Sequence, residues 1–223
     1  MNADNWWVVW EARELLAQGL GMTLGLFAVA GLCALVLGCG VVYLISLSPR
    51  PVEMLLRGYI NVMRMLPFLI FAYLLYYGLP NLGIRLGALQ AGALGLVLYY
   101  AAYVAEVLRG AWMTLPRGML EAAYAHGYGR SKAFVRIALP QLVLRSRAVL
   151  GNLAIMCLKD TSFLSIITVV ELTGAANAVQ SRYFIPVEAF LVAMGLYWAM
   201  GLAIEAVVRR SRRVTVRRGF ENA

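Results

Sequence analysis

The sequence predicts an all-α integral membrane helical bundle with five transmembrane helices, on three observations. Of its 223 residues, 62% are hydrophobic and 14% charged, with a mean hydropathy of +0.74. A soluble domain carries roughly a quarter charged residues, so the bilayer must be the solvent for much of this chain. Five apolar stretches each reach about 20 residues, enough for a helix to cross about 30 Å of hydrocarbon. Backbone groups in lipid must be satisfied locally, which makes each of these stretches a helix.

The elements follow in order. Residues 1–19 are amphipathic and hold Trp6, Trp7 and Trp10 with Asp4, Glu11, Arg13 and Glu14. Tryptophan at that density predicts an interfacial helix at headgroup level. The first span runs from Leu20 to Leu47 without a charge; it is too long for a signal-peptide core and reads as a retained span. The second runs from Val52 to Leu79 and contains Arg57 and Arg64; the third runs from Leu86 to Leu108 and contains Glu106. The fourth runs from Leu139 to Leu158 and the fifth from Pro186 to Val208. Residues 20–208 thus form one transmembrane domain with a loop at 109–140, and 209–223 form a basic tail. Gly21 and Gly25 make a GxxxG pair, a weak signal for close helix packing.

Charge asymmetry sets the orientation. Fifteen of the 20 basic residues fall in loop 48–58, loop 109–147 and the tail, which five spans place on one side. That side is predicted to be the cytoplasm, with the N-terminus outside. A net charge of +9 is then explained by loops facing anionic lipid, and nucleic-acid binding is set aside because the basic residues sit at span ends. Cys33, Cys39 and Cys157 all lie in apolar stretches and read as free thiols. One histidine, His126, supports neither a metal site nor a Ser-His-Asp triad.

Between the third and fourth spans lies a polar, helix-forming island. Thr114-Leu115-Pro116-Arg117-Gly118 breaks the third span. A short helix is expected over Met119–His126 with Glu121 in its first turn, where a carboxylate complements the helix dipole. Gly127-Tyr128-Gly129 reads as a turn, and Ser131 as the N-cap of a second short helix stopping near Pro140. So small a unit cannot bury its own apolar residues. Ala122, Ala123, Tyr124, Phe134, Val135 and Ile137 therefore need a partner surface or the base of the spans, unless the island is a plain amphipathic linker on the membrane.

The run Glu121-Ala122-Ala123, Gly127, Ile137, Leu139 and Pro140 resembles the coupling motif of ABC-transporter permeases, EAA-x3-G-x9-I-x-L-P, at every fixed position. Across almost the whole chain the sequence is similar to the permeases of polar amino acid importers, the histidine/glutamine/arginine type. Thr23-Leu24, Arg64, Pro67, Ala102-Tyr103, Glu106, Arg109-Gly110, Lys159-Asp160-Thr161-Ser162, Ser165 and Glu171 share that pattern. Met119 and His126 depart from it, where Gln and an aliphatic residue are common.

The resemblance implies the type I ABC importer permease fold in a bacterial inner membrane. It implies an importer for polar, basic amino acids, coupled through the motif residues to a separate ATPase dimer. The other partners implied are a second permease subunit (related or identical) and an extracytoplasmic substrate-binding protein. No GxxxxGK[ST] sequence is present, so the chain is expected to be no enzyme, to bind no cofactor, and to leave ATP and Mg to its partner.

Charges within spans mark a candidate substrate pathway: Arg64, Glu106, Lys159, Asp160, Thr161 and Ser162. Each has a structural alternative. Glu106 pairs with Arg109 or Arg64; Arg64 caps carbonyls freed at Pro67; Asp160 or Thr161 caps a following helix with Lys159 paired to Asp160. Glu205 and Arg209 are spaced for an i,i+4 pair. An ion-coupled transporter using Glu106 or Asp160 is the rival reading, but it leaves the cytoplasmic motif without a task. A membrane enzyme finds no cluster of nucleophile, base and orienting group.

Overall fold

The computed structural model describes residues 3–217, and among these the chain is helical with no strand. Met1, Asn2 and the end of the predicted basic tail, 218–223, lie outside the described residues. The helices are α1 (Ala3–Glu11), α2 (Arg13–Leu47), α3 (Arg50–Met65), α4 (Phe68–Tyr73), α5 (Ala88–Met113) and α6 (Arg117–Ala125). They continue with α7 (Arg130–Ala133), α8 (Leu139–Arg145), α9 (Arg147–Asp160), α10 (Leu172–Tyr183) and α11 (Pro186–Arg217). Wide π turns occupy Leu74–Gly78 and Phe134–Ala138; 3₁₀ turns occupy Leu79–Leu82 and Thr161–Ile167.

Four helical segments are long and apolar enough to cross a membrane: Arg13–Leu47, Ala88–Met113, Arg147–Ile167 and Pro186–Ser211. A fifth arises if the bent pair Arg50–Met65 and Phe68–Leu82 is one span. The second predicted span is therefore not a continuous helix. Leu66 is extended (φ −90°, ψ 141°) because it precedes Pro67, and a proline drives the residue before it out of the helical region. The fourth span also shifts. Leu139–Arg145 is a separate helix ending at Ser146, and the apolar window begins only at Arg147. Residues 13–19, expected in the interfacial helix, are instead the first turns of α2.

The chain divides into two compact units. One comprises Met1–Leu32, Pro67–Val97 and Ile155–Ala203. Its core joins Val9 and Leu16 to Leu172, Ala175 and Val179 of α10 and to Ala189 and Ala193 of α11. Gly19 makes this approach possible, since a Cβ there would lie 2.7 Å from the Ala175 Cβ. Asn5 Nδ2 donates to the buried Glu188 carboxylate at 3.0 Å, tying α1 to the start of α11.

The other unit comprises Cys33–Leu66, Leu98–Ala154 and Ile204–Ala223. Its core holds Val41, Val42, Ile60, Val104, Leu108, Phe134, Leu142 and Leu153. Here a Cβ at Gly38 would lie 2.6 Å from Val104 Cγ1, and one at Gly151 would lie 2.5 Å from Val208 Cγ2. Among the described residues nothing lies within 4 Å of a Cβ at Gly21 or Gly25 of the GxxxG pair. Cys33, Cys39 and Cys157 are free thiols.

Candidate functional site: the coupling loop and the charged cluster of α3 and α5

After α5 the chain turns on Thr114, whose hydroxyl donates to Ala111 O at 2.9 Å, and Pro116 starts α6 in an extended conformation. Because α6 begins at Arg117, Glu121 sits in mid-helix and is exposed; it does not occupy the first turn. Ala122 is exposed beside it, while Ala123 is buried. Gly127 closes the helix at φ +79°, a left-handed conformation that costs other L-residues energy. Tyr128 N–H returns to Ala123 O at 3.1 Å, and His126 Nδ1 meets Ala122 O at 2.8 Å.

The second half of the loop differs from its prediction. Gly129 precedes α7 with no side-chain cap, and the Ser131 hydroxyl is hydrogen-bonded to the Tyr43 hydroxyl of α2. Nor does the helix stop near Pro140. It passes through the π turn 134–138 into α8, with Pro140 in the first turn, where its missing N–H is tolerated. Phe134 is buried against Tyr43 and Trp112, with ring centroids 5.6 and 5.2 Å away. Gln141 Nε2 donates to Met119 Sδ at 2.6 Å and so ties α8 to α6. The motif thus faces two ways. Glu121, Ala122, Gly127 and Pro140 are exposed; Ala123 is buried, with Ile137 and Leu139 half-buried.

The second feature is a charged cluster. Arg109 grips Glu106 with two hydrogen bonds, Nε to Oε2 at 2.7 Å and Nη2 to Oε1 at 2.9 Å. Arg64 approaches the same carboxylate at 3.2 Å, and Arg57 pairs with Glu53 at 2.6 Å. Glu106 is therefore already neutralised by two guanidiniums and offers little to a substrate ammonium. A cavity of about 110 Å³ lies beside it, lined by Arg57, Ile60, Asn61, Glu106 and Arg109. Arg64 does not cap the carbonyls at the proline break. Tyr99 and Tyr103 do so, donating to Leu66 O at 3.0 Å and to Arg64 O at 3.4 Å. Tyr99, Tyr103 and Glu106 recur at helical spacing and so share one face of α5; that spacing is the signal by which the sequence could have shown these caps.

Of the other predicted pathway residues, Lys159 is exposed, Asp160 and Ser162 are half-buried, and Thr161 is fully buried. Asp160 makes no capping bond to the following 3₁₀ turn, and the Thr161 hydroxyl donates back to Leu158 O at 2.7 Å. The true cap nearby is Glu171. Its carboxylate accepts from Thr173 N–H and Gly174 N–H, both at 2.9 Å, and from the Tyr197 hydroxyl at 2.7 Å. Thr23 Oγ1 accepts from Leu172 N–H at 3.0 Å, which completes the first turn of α10. Burial pushes the Glu171 carboxyl above its ordinary range, against the lowering effect of these donors. Glu205 and Arg209 form the expected pair at 3.4 Å.

Comparison with known proteins accords with this arrangement. The family described as binding-protein-dependent transport system inner membrane component matches residues 30–215. The probable amino-acid permease protein YxeN of Bacillus subtilis is 33% identical over 207 residues, covering 90% of this chain and 91% of its own. The arginine ABC transporter permease protein ArtQ of Escherichia coli is 29% identical over 223 residues, covering 87% and 92%. A chain from the crystal structure of an amino acid ABC transporter with histidines superimposes with a TM-score of 0.84 at 28% identity, over 96% of this chain and 100% of that one. Proteins of this kind are permease subunits and leave ATP hydrolysis to a separate ATPase. With its all-helical, multi-pass architecture, the chain belongs to the family of binding-protein-dependent transport system inner membrane components.

Proposed function

We propose that this permease imports polar, basic amino acids and that α6 and its Gly127 turn carry the motion of the ATPase into the spans. The observation that carries the coupling role is the two-faced motif. Glu121 and Ala122 are presented outward on a short rigid helix, while Ala123 on the same helix is sunk into the core beneath. A helix anchored in this way transmits a push as rigid-body motion. The substrate class is supported by ArtQ, named for arginine, and by the solved transporter described with histidines.

The assembly comprises an ATPase dimer, a second permease subunit (a related chain or a copy of this one) and an extracytoplasmic binding protein. The chain itself holds no cofactor; ATP and Mg are used by the ATPase. The basic loops face the cytoplasm, and the N-terminus lies outside. Arg64 and Glu106 in one unit and Lys159, Asp160 and Ser162 in the other are the candidate pathway residues, whereas Thr161 is buried. The small cavity is lined by two arginines, Arg57 and Arg109, and one carboxylate, Glu106, a balance suited to a substrate carboxylate, with Glu106 holding Arg109 in place.

The test is to purify the chain gently from its own membranes and identify the proteins that accompany it. The complex is then placed in vesicles with its binding protein, and uptake of labelled arginine, histidine and glutamine is measured. ATP-dependent uptake favouring the basic substrates supports the reading. A chain that purifies alone and moves amino acid on a proton gradient without ATP would overturn it.

A further inference from the structure

A second cavity, of about 280 Å³, lies beneath the coupling helix and shares no residue with the charged cluster. Its lining is Ser46 and Leu47 at the end of α2, Trp112 at the end of α5, Leu120 and Tyr124 of α6, and Arg130 and Phe134. Both α2 and α5 are apolar spans, and they end at Leu47 and Met113. The cavity therefore sits at the ends of two apolar helices and is lined by one tryptophan and one tyrosine, residue types that concentrate at membrane surfaces. Its rings are fixed: Phe134 packs on Trp112 and on Tyr43, whose hydroxyl is bonded to Ser131. Among the described residues Arg130 is the one cation in the lining, and it is exposed. The surrounding loop 109–147 carries seven basic residues against one acidic residue, Glu121.

We propose that this cavity is a binding site for the headgroup of an anionic phospholipid. Arg130 and the Ser46 hydroxyl meet the phosphate, Trp112 and Tyr124 flank the glycerol, and the acyl chains lie along the apolar ends of α2 and α5. The volume falls below the roughly 300–1,000 Å³ of sites for drug-sized ligands, and it suits one headgroup. Basic pockets at the cytoplasmic ends of spans select anionic lipid for the same electrostatic reason. Bound there, the lipid bridges α6 to the ends of α2 and α5, so the coupling helix and the spans share one ligand.

The test uses the full chain purified from membranes and exchanged into nanodiscs of equal phosphatidylglycerol and phosphatidylethanolamine. Retained lipid is counted by native mass spectrometry. A photoactivatable phosphatidylglycerol in the same discs locates the contact. Wild type is expected to retain phosphatidylglycerol in preference and to crosslink through 112–134. Arg130→Gln lowers that retention about fivefold, the effect of one arginine near an anionic surface. Arg145→Gln, an exposed charge outside the cavity, serves as the control for bulk electrostatics and retains the lipid. Equal loss in the two variants, or no loss in Arg130→Gln, would overturn the proposal. So would a cavity that crosslinks to the partner ATPase and not to lipid.

Discussion

Arg109 holds both carboxylate oxygens of Glu106 from one turn along α5, at 2.7 and 2.9 Å, and Arg64 reaches the same group at 3.2 Å. The pair is 24% exposed on each side, so solvent screens it in part. A hydrogen bond to a charged group contributes roughly 1.5–3 kcal/mol when well shielded; Glu106→Gln is therefore expected to cost about 1–2 kcal/mol of stability. Arg109→Lys keeps the charge but loses the fork and is expected to fall between wild type and Glu106→Gln. Thermal unfolding in detergent measures both, and an unchanged midpoint in Glu106→Gln argues against the pair as a structural element.

Glu171 offers a test with pH. Its carboxylate caps α10, so Glu171→Ala leaves Thr173 and Gly174 N–H without their acceptor and is expected to cost about 1–2 kcal/mol. Burial raises its carboxyl above the ordinary value of 4.5. The folded chain then holds a proton at pH values where the unfolded chain has lost it. Stability relative to Glu171→Gln should therefore fall as pH rises from the ordinary value through the raised one, and level off above it. Paired unfolding curves across that window read the effect; a difference that grows with pH contradicts the sign.

Gly127 offers a test that distinguishes the proposed coupling role from folding. At φ +79° any L-residue is strained by about 1–2 kcal/mol, yet nothing lies within 4 Å of a Cβ there, so conformation and not space is the obstacle. Gly127→Val is expected to leave insertion and ATP hydrolysis in place while uptake per ATP drops. Gly127→Trp adds bulk on the exposed side and should reduce uptake further. Normal transport by the tryptophan variant would sink the coupling role of this turn.

The glycines divide by environment. Gly38→Val forces a side chain against Val104 and Ala101 O, positions 2.6 and 3.0 Å from its Cβ, and is expected to cost about 1–3 kcal/mol. Gly21→Ala and Gly25→Ala meet nothing among the described residues and should be neutral or slightly stabilising for the isolated subunit. Gel filtration and thermal melts of the purified subunit distinguish the three.

Most of the architecture was legible because membrane solvation acts on each segment separately. The runs beginning at Leu20, Leu86 and Pro186 had no alternative to helix, and resemblance to a family motif marked Glu121 through Pro140 as one unit. The Glu106–Arg109 and Glu205–Arg209 pairs were legible for the same local reason, since a helix brings i,i+3 and i,i+4 neighbours together. Errors arose where one residue changes the backbone path. Pro67 broke the second span at Leu66, and the Arg145-Ser146-Arg147 step separated α8 from the fourth span.

Hydropathy, backbone hydrogen bonding and a fixed residue spacing are local properties, so the solvent, the helical class and the residue pattern that carries the family resemblance could all be read along the chain. Which groups satisfy one another over long separations was settled by packing alone. Ser131 could have capped its own helix, but Tyr43 takes its hydroxyl from 88 residues away. Arg64 could have capped the broken helix, but Tyr99 and Tyr103 of α5 reach those carbonyls instead. Glu171 is served by Tyr197, and the next residue's N–H by Thr23, 149 positions earlier. A buried polar group takes whichever partner packing brings within about 3 Å, and packing is not a property of neighbouring residues in sequence.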